Sequence, residues 1–379
     1  MAKVIDLKEE DGIMTFTINN VDVSYINAVR RTILSDIQLV VFKTTPYTEN
    51  KANITANTSR LNNEILKQRL SCIPICINNL EDTPIKNYLL EVDVENKTDT
   101  MLIVTTKDFK IRDKTTDKLL EDGNVKKIFP PFVSPIGIEY YIDFVRLRPQ
   151  LSAEIPGEKI KLTCEFSIGT AREDSMFNIT GTCSYGCTVD AEKITEQLEI
   201  RKQKWKDEGK TEKEIKFEAA NWKLLEALRY VKKNSFDFIL QSVGVYENAE
   251  IIIKACNVLL NKLVALKTIL TSNELEIKVS DTTMENSYDI ILENEDYTLG
   301  NILNHELYSV FYTDLKFLDY VGFKKQHPHD TSSILRVTLT DKTKGISSVK
   351  TMLNSTIESS ENKIKEIMGC FDGSRIYDK

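Results

Sequence analysis

One short pattern occurs twice in this chain, and it constrains the fold more than any other feature. Residues 16 to 34 read FTINNVDVSYINAVRRTIL, and residues 290 to 308 read IILENEDYTLGNILNHELY. Aligned without a gap, Asn20 matches Asn294, Asp22 matches Asp296, Ser24 matches Thr298 and Asn27 matches Asn301, at one offset (294 − 20 = 301 − 27 = 274). Each copy begins as a short alternating strand (Met14, Phe16, Ile18; Tyr288, Ile290, Leu292) with one face toward a core. A polar Asn/Asp turn follows, and Ser24 or Thr298 stands where an N-cap belongs. A helix with an apolar stripe comes next: Ile26, Val29, Ile33 and Ile37 in one copy, Leu299, Ile302, Leu303, Leu307 and Val310 in the other.

The ends of the two halves repeat as well. FDFIL (236–240) alternates like a half-buried strand. It leads through SVGVYEN to a helix with Ile252, Cys256, Leu259, Leu263, Leu266 and Leu270 on one seam. ILRVTL (334–339) repeats the strand, and TDKTKG leads to a second long helix with Ile346, Val349, Leu353, Ile357, Ile364 and Ile367. Matching strand–helix pairs in matching order predict two pseudo-symmetric dimerisation halves, each covering the other's apolar face. The expected fold class is α+β. Residues 1–40 and 234–270 form the first half, interrupted by a mainly β insert at 41–190 and a charged helical insert at 191–233. Residues 271–284 read as a linker and 285–379 as the second half. Trp205 and Trp222 are the apolar anchors of the charged insert, which reads as a surface segment with a docking face.

At this point the residues resemble a known family. SYINAVRRTILSDI followed by NTSRLNNEILKQRLSCIPI resembles the large α-like subunit of multisubunit RNA polymerases, the third subunit of the eukaryotic nuclear enzyme and the D type of archaea. FVRLRPQLSAEIPGEKIKLTCEFSIGTAREDSMFN is similar to the return leg of that subunit's inserted domain. ENEDYTLGNILNHEL, VGFKKQHPH and ILRVTL are similar to the small α-like subunit, the eleventh type of the eukaryotic enzyme and the L type of archaea. The two relatives are separate chains. Here they read as one, in the manner of the fused form in giant-virus-type DNA viruses.

The resemblance implies a non-catalytic assembly platform of a DNA-directed RNA polymerase. Its implied partners are the second-largest subunit, then the largest, with small subunits nearby. Arg30, Arg31, Glu64, Lys67 and Arg69 are the residues it puts on the partner face. Intramolecular pairing is expected from Asn27, Val29, Ile33, Leu259, Leu263, Leu266, Asn301, Leu303, Val349 and Leu353. Arg30 and Arg31 point about 100° apart on a helix, so at most one sits centrally on the buried seam. A self-paired adaptor of the same fold outside a polymerase is the competing expectation.

The rest of the sequence narrows the chemistry. No Asp-rich metal loop, phosphate-cradling Gly-rich motif or GxSxG is present, so no catalytic residue is expected. A net charge of −7 argues against a dedicated nucleic-acid binder, and direct binding is expected to be minor. The absence of a long apolar run predicts no membrane span. With seven cysteines spread along the length, the expectation is a soluble intracellular protein with reduced thiols. A viral chain is expected in the host cytoplasm and otherwise one in the nucleus. Family members often carry a four-cysteine zinc loop or iron–sulfur ligands in the inserted domain. The matching region, 77 to 130, has no cysteine. Cys72 with Cys76, Cys183 with Cys187, and His327 with His329 are the remaining donors, and neither metal nor cofactor is expected.

Overall fold

Both copies of the repeat turn the chain with the same device. In the computed structural model, which describes residues 1–80, 83–150, 152, 154–281 and 283–372, Asn20 and Asn294 take left-handed backbone angles, φ 62° and 58°. Asparagine tolerates that region better than most residues, because its short polar side chain bonds locally. Helix α1 (Val23–Ser35) then starts after Asp22, whose Oδ1 accepts the backbone N–H of Ser24 at 2.9 Å. In the second copy Asp296 accepts the N–H of Thr298 at 2.8 Å. The cap is therefore the aspartate and not Ser24 or Thr298. A carboxylate two residues back reaches the free N–H directly, and Ser24 spends its hydroxyl on the same Asp22 oxygen at 2.7 Å.

The chain divides into two units. The first comprises Met1–Thr32, Thr182–Gln241 and Asn248–Lys379, and the second Ile33–Gly181 with Ser242–Glu247. α1 crosses this division, its last turn from Ile33 counting with the second unit.

The first unit holds two four-stranded sheets. One is ordered Lys3–Glu10, Ile13–Asn19, Val231–Ser242, Thr180–Val189, and the other Ile277–Val279, Ser287–Glu293, Ser332–Leu339, Leu318–Lys324. Phe16 stacks on Phe238 with ring centroids 5.1 Å apart, and Phe371 meets Phe16 edge-on at 4.9 Å. Strand Ile13–Asn19 and the residues just after the last helix thus share one aromatic core. The stretch 271–284, expected as a plain linker, contributes strand Ile277–Val279 to the second sheet, because Ile277 registers against Ile290. Thr282 within it lies outside the described residues, as do residues 373–379 of the expected second half.

In the second unit a five-stranded antiparallel sheet runs in the order Ala52–Asn57, Lys159–Glu165, Tyr88–Glu95, Lys110–Asp113, Lys118–Leu119. Helix α2 (Asn63–Ser71) is capped by Asn62, whose side chain accepts the N–H of Ile65 at 2.8 Å. α2 buries Leu66 and Leu70 in the same apolar cluster as Leu90, Ile111, Phe144 and Leu162. A short helix α3 (Asp122–Ile128) adds Val125 and Ile128 to that cluster.

The charged stretch returns to the first unit as a helical hairpin, α4 (Ala191–Asp207) and α5 (Glu212–Leu225). Trp205 and Trp222 bury against Leu198, Ile215 and Ala227, so both tryptophans hold the hairpin together. Helix α6 (Asn248–Thr271) follows, then α7 (Tyr297–Glu306), a π-helical stretch Leu307–Asp314, and α8 (Ile346–Met368). α6 packs along α8. Cys256, Leu259 and Leu263 are buried on one, Leu353, Ile357 and Ile364 on the other, while Ile346 at the first turn of α8 is exposed. Each fully buried leucine contributes about 1.5–3 kcal/mol, so the two seams account for a large part of this unit's cohesion. Among the described residues no helix is long and apolar enough to cross a membrane.

Candidate functional site

The most informative geometry lies where the two repeats meet inside the first unit. Arg31 on α1 reaches the start of α7: its Nη2 lies 3.0 Å from Asp296 Oδ2, and its Nε donates to Thr298 Oγ1 at 2.9 Å. His305 near the end of α7 reaches the start of α1, with Nδ1 3.4 Å from Asp22 Oδ1. At the offset of 274, Asp22 corresponds to Asp296 and Arg31 to His305. The two contacts are therefore the same contact with the helices exchanged. Each helix sends a side chain from its later turns, a guanidinium in one case and an imidazole in the other, to the aspartate that caps the other.

Beside these contacts lies a buried polar cluster. Glu306, with 1% of its side chain exposed, accepts from Tyr25 Oη at 2.7 Å, Ser359 Oγ at 2.9 Å and Lys363 Nζ at 2.5 Å. It ties α1 to α7 and α8. Burial, and next the Glu306 carboxylate, push the Tyr25 hydroxyl far above its ordinary pKa, so it stays a donor. Such a charge survives burial only when its lone pairs are filled. The exchanged positions are Leu299 and Thr32, and Thr32 Oγ1 is buried with no hydrogen-bond partner among the described residues. The exchange holds at the caps and breaks here. Two lysines of α6 complete the junction, Lys262 at 3.5 Å from Glu295 and Lys267 at 2.9 Å from Glu358 on α8.

Sequence reasoning missed Glu306, Tyr25 and Lys363. A signal was present: Glu306 falls three residues past Leu303 and beside Leu307, squarely on the apolar stripe of α7, where a carboxylate requires buried donors. Of the expected pairing residues, Val29, Leu259, Leu263, Leu266, Leu303, Val349 and Leu353 are buried. Ile33 is buried on the turn of α1 that counts with the second unit. Asn27 accepts from Arg30 Nε at 3.1 Å and Nη2 at 2.9 Å, so it orients a side chain of its own helix. Asn301 is half-buried.

The residues assigned to the partner face fall in different places. Arg31 holds the start of α7, as described. Arg30 is clamped by Asn27 in the first unit. In the second unit Glu64 is exposed on the first turn of α2 and Lys67 half-buried. Arg69 donates to the carbonyls of Phe144 at 2.8 Å and Asp143 at 2.7 Å, which fixes α2 to strand Asp143–Leu147. It also lines an open groove of about 500 Å³ with Arg60, Arg146, Arg148 and Met101. Arg148 in turn donates from Nε to the buried Glu158 at 2.5 Å. The RLRP run carried that arginine pair in plain view.

The thiols do not fit a metal cluster. Cys72 ends α2, and burial raises its pKa and that of Cys76. Cys183 and Cys164 are buried and pushed up to about 12. Among the described residues no group of three or more His, Cys, Asp or Glu side chains is arranged around a common point.

Comparison with known proteins gives the family. The model of the RNA polymerase Rpb3/Rpb11 dimerisation domain matches residues 15–263, more than half of the chain. The chain belongs to this family. The matched span opens on strand Ile13–Asn19 and ends inside α6, so it contains α1, Arg31 and the α4–α5 hairpin. Among curated relatives, the DNA-directed RNA polymerase subunit Rpo3 of Methanosphaera stadtmanae is 26% identical over 207 residues. That alignment covers 51% of this chain and 65% of the relative, so the chain spans just under two thirds of its length.

Proposed function

We propose that this chain is a non-catalytic assembly subunit of a DNA-directed RNA polymerase, with the large and small α-like partners fused and paired within one molecule. The observation that carries the reading is the exchange of Arg31–Asp296 and His305–Asp22. Two helices that each bind the other's cap are the mark of an isologous pairing surface, which fits a dimerisation family. On this reading 1–40 with 234–270 and 285–379 are the two halves, and the β insert 41–190 belongs to the larger one. Fusion makes pairing intramolecular, at an effective concentration on the order of millimolar for a short linker. The fused form is also what the giant-virus-type resemblance implies.

The docking face on this reading is α2 with its arginine groove, and the second-largest polymerase subunit is its client, the largest subunit joining afterwards. Arg69 then acts by fixing α2, and Glu64 and Lys67 present charge there; Arg30 presents charge on the first unit. The test is co-purification of the tagged full-length chain from the cells or particles that make it. Very large polymerase subunits recovered in near-equal amounts, and lost in the Arg60→Glu/Arg146→Glu variant, are the expected result. A stable, paired chain that brings down no large subunit refutes the polymerase assignment and leaves a self-paired adaptor.

A further inference from the structure

Neither the pairing surface nor the arginine groove makes use of the α4–α5 hairpin, yet one face of α5 is built to touch something. At about 100° per residue, Ile215 and Trp222 mark its buried side, packed within the hairpin. The opposite side carries Phe217 and Leu224, seven residues apart, with Asn221 between them. Phe217 is 72% exposed and Leu224 73%; Leu225 and Leu228 follow at 64% and 60%. The hairpin is not frayed there. Thr211 forms a full capping box with Glu214, and Asp190 caps α4. Bulky apolar side chains at i, i+7 and beyond, with one Asn in the seam, are the pattern by which a helix receives another helix.

Charge selects the occupant. Lys213, Lys216 and Lys223 share one flank of the stripe, and among the described residues none of them has an ion-pair partner. On the other flank Glu218 is already held by Lys210 at 2.9 Å. A second copy docked antiparallel about a twofold axis sets the lysine flank against itself, which like charges oppose. We propose that this face of α5 is a docking surface for an amphipathic helix of another protein, one whose apolar stripe is bordered by Asp and Glu. The proposal stands apart from the polymerase assignment: recovery of large subunits tests that one and leaves this face untouched.

The test places a photoreactive benzophenone in the seam of the full-length chain (Asn221→p-benzoyl-phenylalanine), followed by irradiation in the source extract and sequencing of the crosslinked peptide. The expected product is one segment of another protein with helical apolar spacing and an acidic border. Its yield falls at least about tenfold in Lys213→Glu/Lys216→Glu/Lys223→Glu and in Phe217→Ser/Leu224→Ser. Both variants keep the melting temperature of the parent, because the replaced side chains are exposed. Crosslinks only to a second copy, capture by vesicles containing phosphatidylserine in place of a protein helix, absence of any product, or a large fall in melting temperature would each overturn the proposal.

Discussion

Replacing Tyr25 with Phe removes one oxygen from the centre of the junction and changes almost nothing else in shape. Glu306 then loses one of its three donors while 1% of its side chain is exposed, so water cannot substitute. A hydrogen bond to a charged group is worth about 1.5–3 kcal/mol, and the upper half of that range applies because the carboxylate stays buried. Glu306→Gln keeps the volume and removes the charge. Lys363 is 43% exposed and turns to solvent, so this variant costs less, about 1–2 kcal/mol. If the two groups act on each other, the double variant costs less than the two singles together by about 1–2 kcal/mol. A global unfolding curve compares a variant with its parent but does not say which part of a two-unit chain lost stability, so the readout here is local. Cys256 is fully buried on α6, and burial pushes its thiol up to about 12. Labelling of Cys256 under native conditions therefore reports opening of the α6–α8 seam, about tenfold faster for each 1.4 kcal/mol lost. Tyr25→Phe is expected to speed it by roughly 40- to 140-fold. Strict additivity of the two variants, or a Tyr25→Phe effect below about twofold, would refute the coupling between α1 and the α7–α8 pair.

Three further outcomes follow from single contacts. Arg336 grips Asp289 at 2.6 and 2.7 Å, and that hydrogen bonding holds the carboxyl below its usual range. Since the folded pKa is the lower one, its stabilisation is complete above the unfolded value of about 3.9 and fades as pH falls through the folded one. Asp289→Asn is expected to cost about 1.5–3 kcal/mol at pH 7 and to flatten the acid limb of a melting-temperature profile. Gly300→Ala puts a Cβ 2.2 Å from the ring of Phe323, and overpacking of about 1–3 kcal/mol should appear as lost hydrogen-exchange protection in α7, relieved by Phe323→Leu. Mild alkylation of the native chain is expected to modify Cys72 and Cys187 first and to spare Cys164 and Cys256, as mass spectrometry of the peptides reads directly, because only the first two are exposed.

Much of this molecule is legible in the order of its residues. The repeat, the alternating strands and both long seams follow from apolar spacing, because one buried face imposes a period on whatever element carries it. The helical insert was legible from its charged, helix-forming composition, although its last residues, 231–233, belong to strand Val231–Ser242. The α+β class and the family follow from the same stretches. What spacing leaves open is which polar group meets which. Sequence grounds put the cap at Ser24, and only the folded backbone gives the place to Asp22. Arg31 reads as a surface charge until α7 sets Asp296 within 3.0 Å of it. Glu306 reads as an interruption in a stripe until Tyr25, Ser359 and Lys363 arrive from three separate stretches of chain. By itself the sequence determined that a short strand–turn–helix pattern recurs and which faces of these elements are buried, since hydrophobic burial depends on local period. Tertiary structure alone decided how they lock. A hydrogen bond or an ion pair depends on distances of a few tenths of an ångström between residues hundreds of positions apart, and no local pattern encodes those.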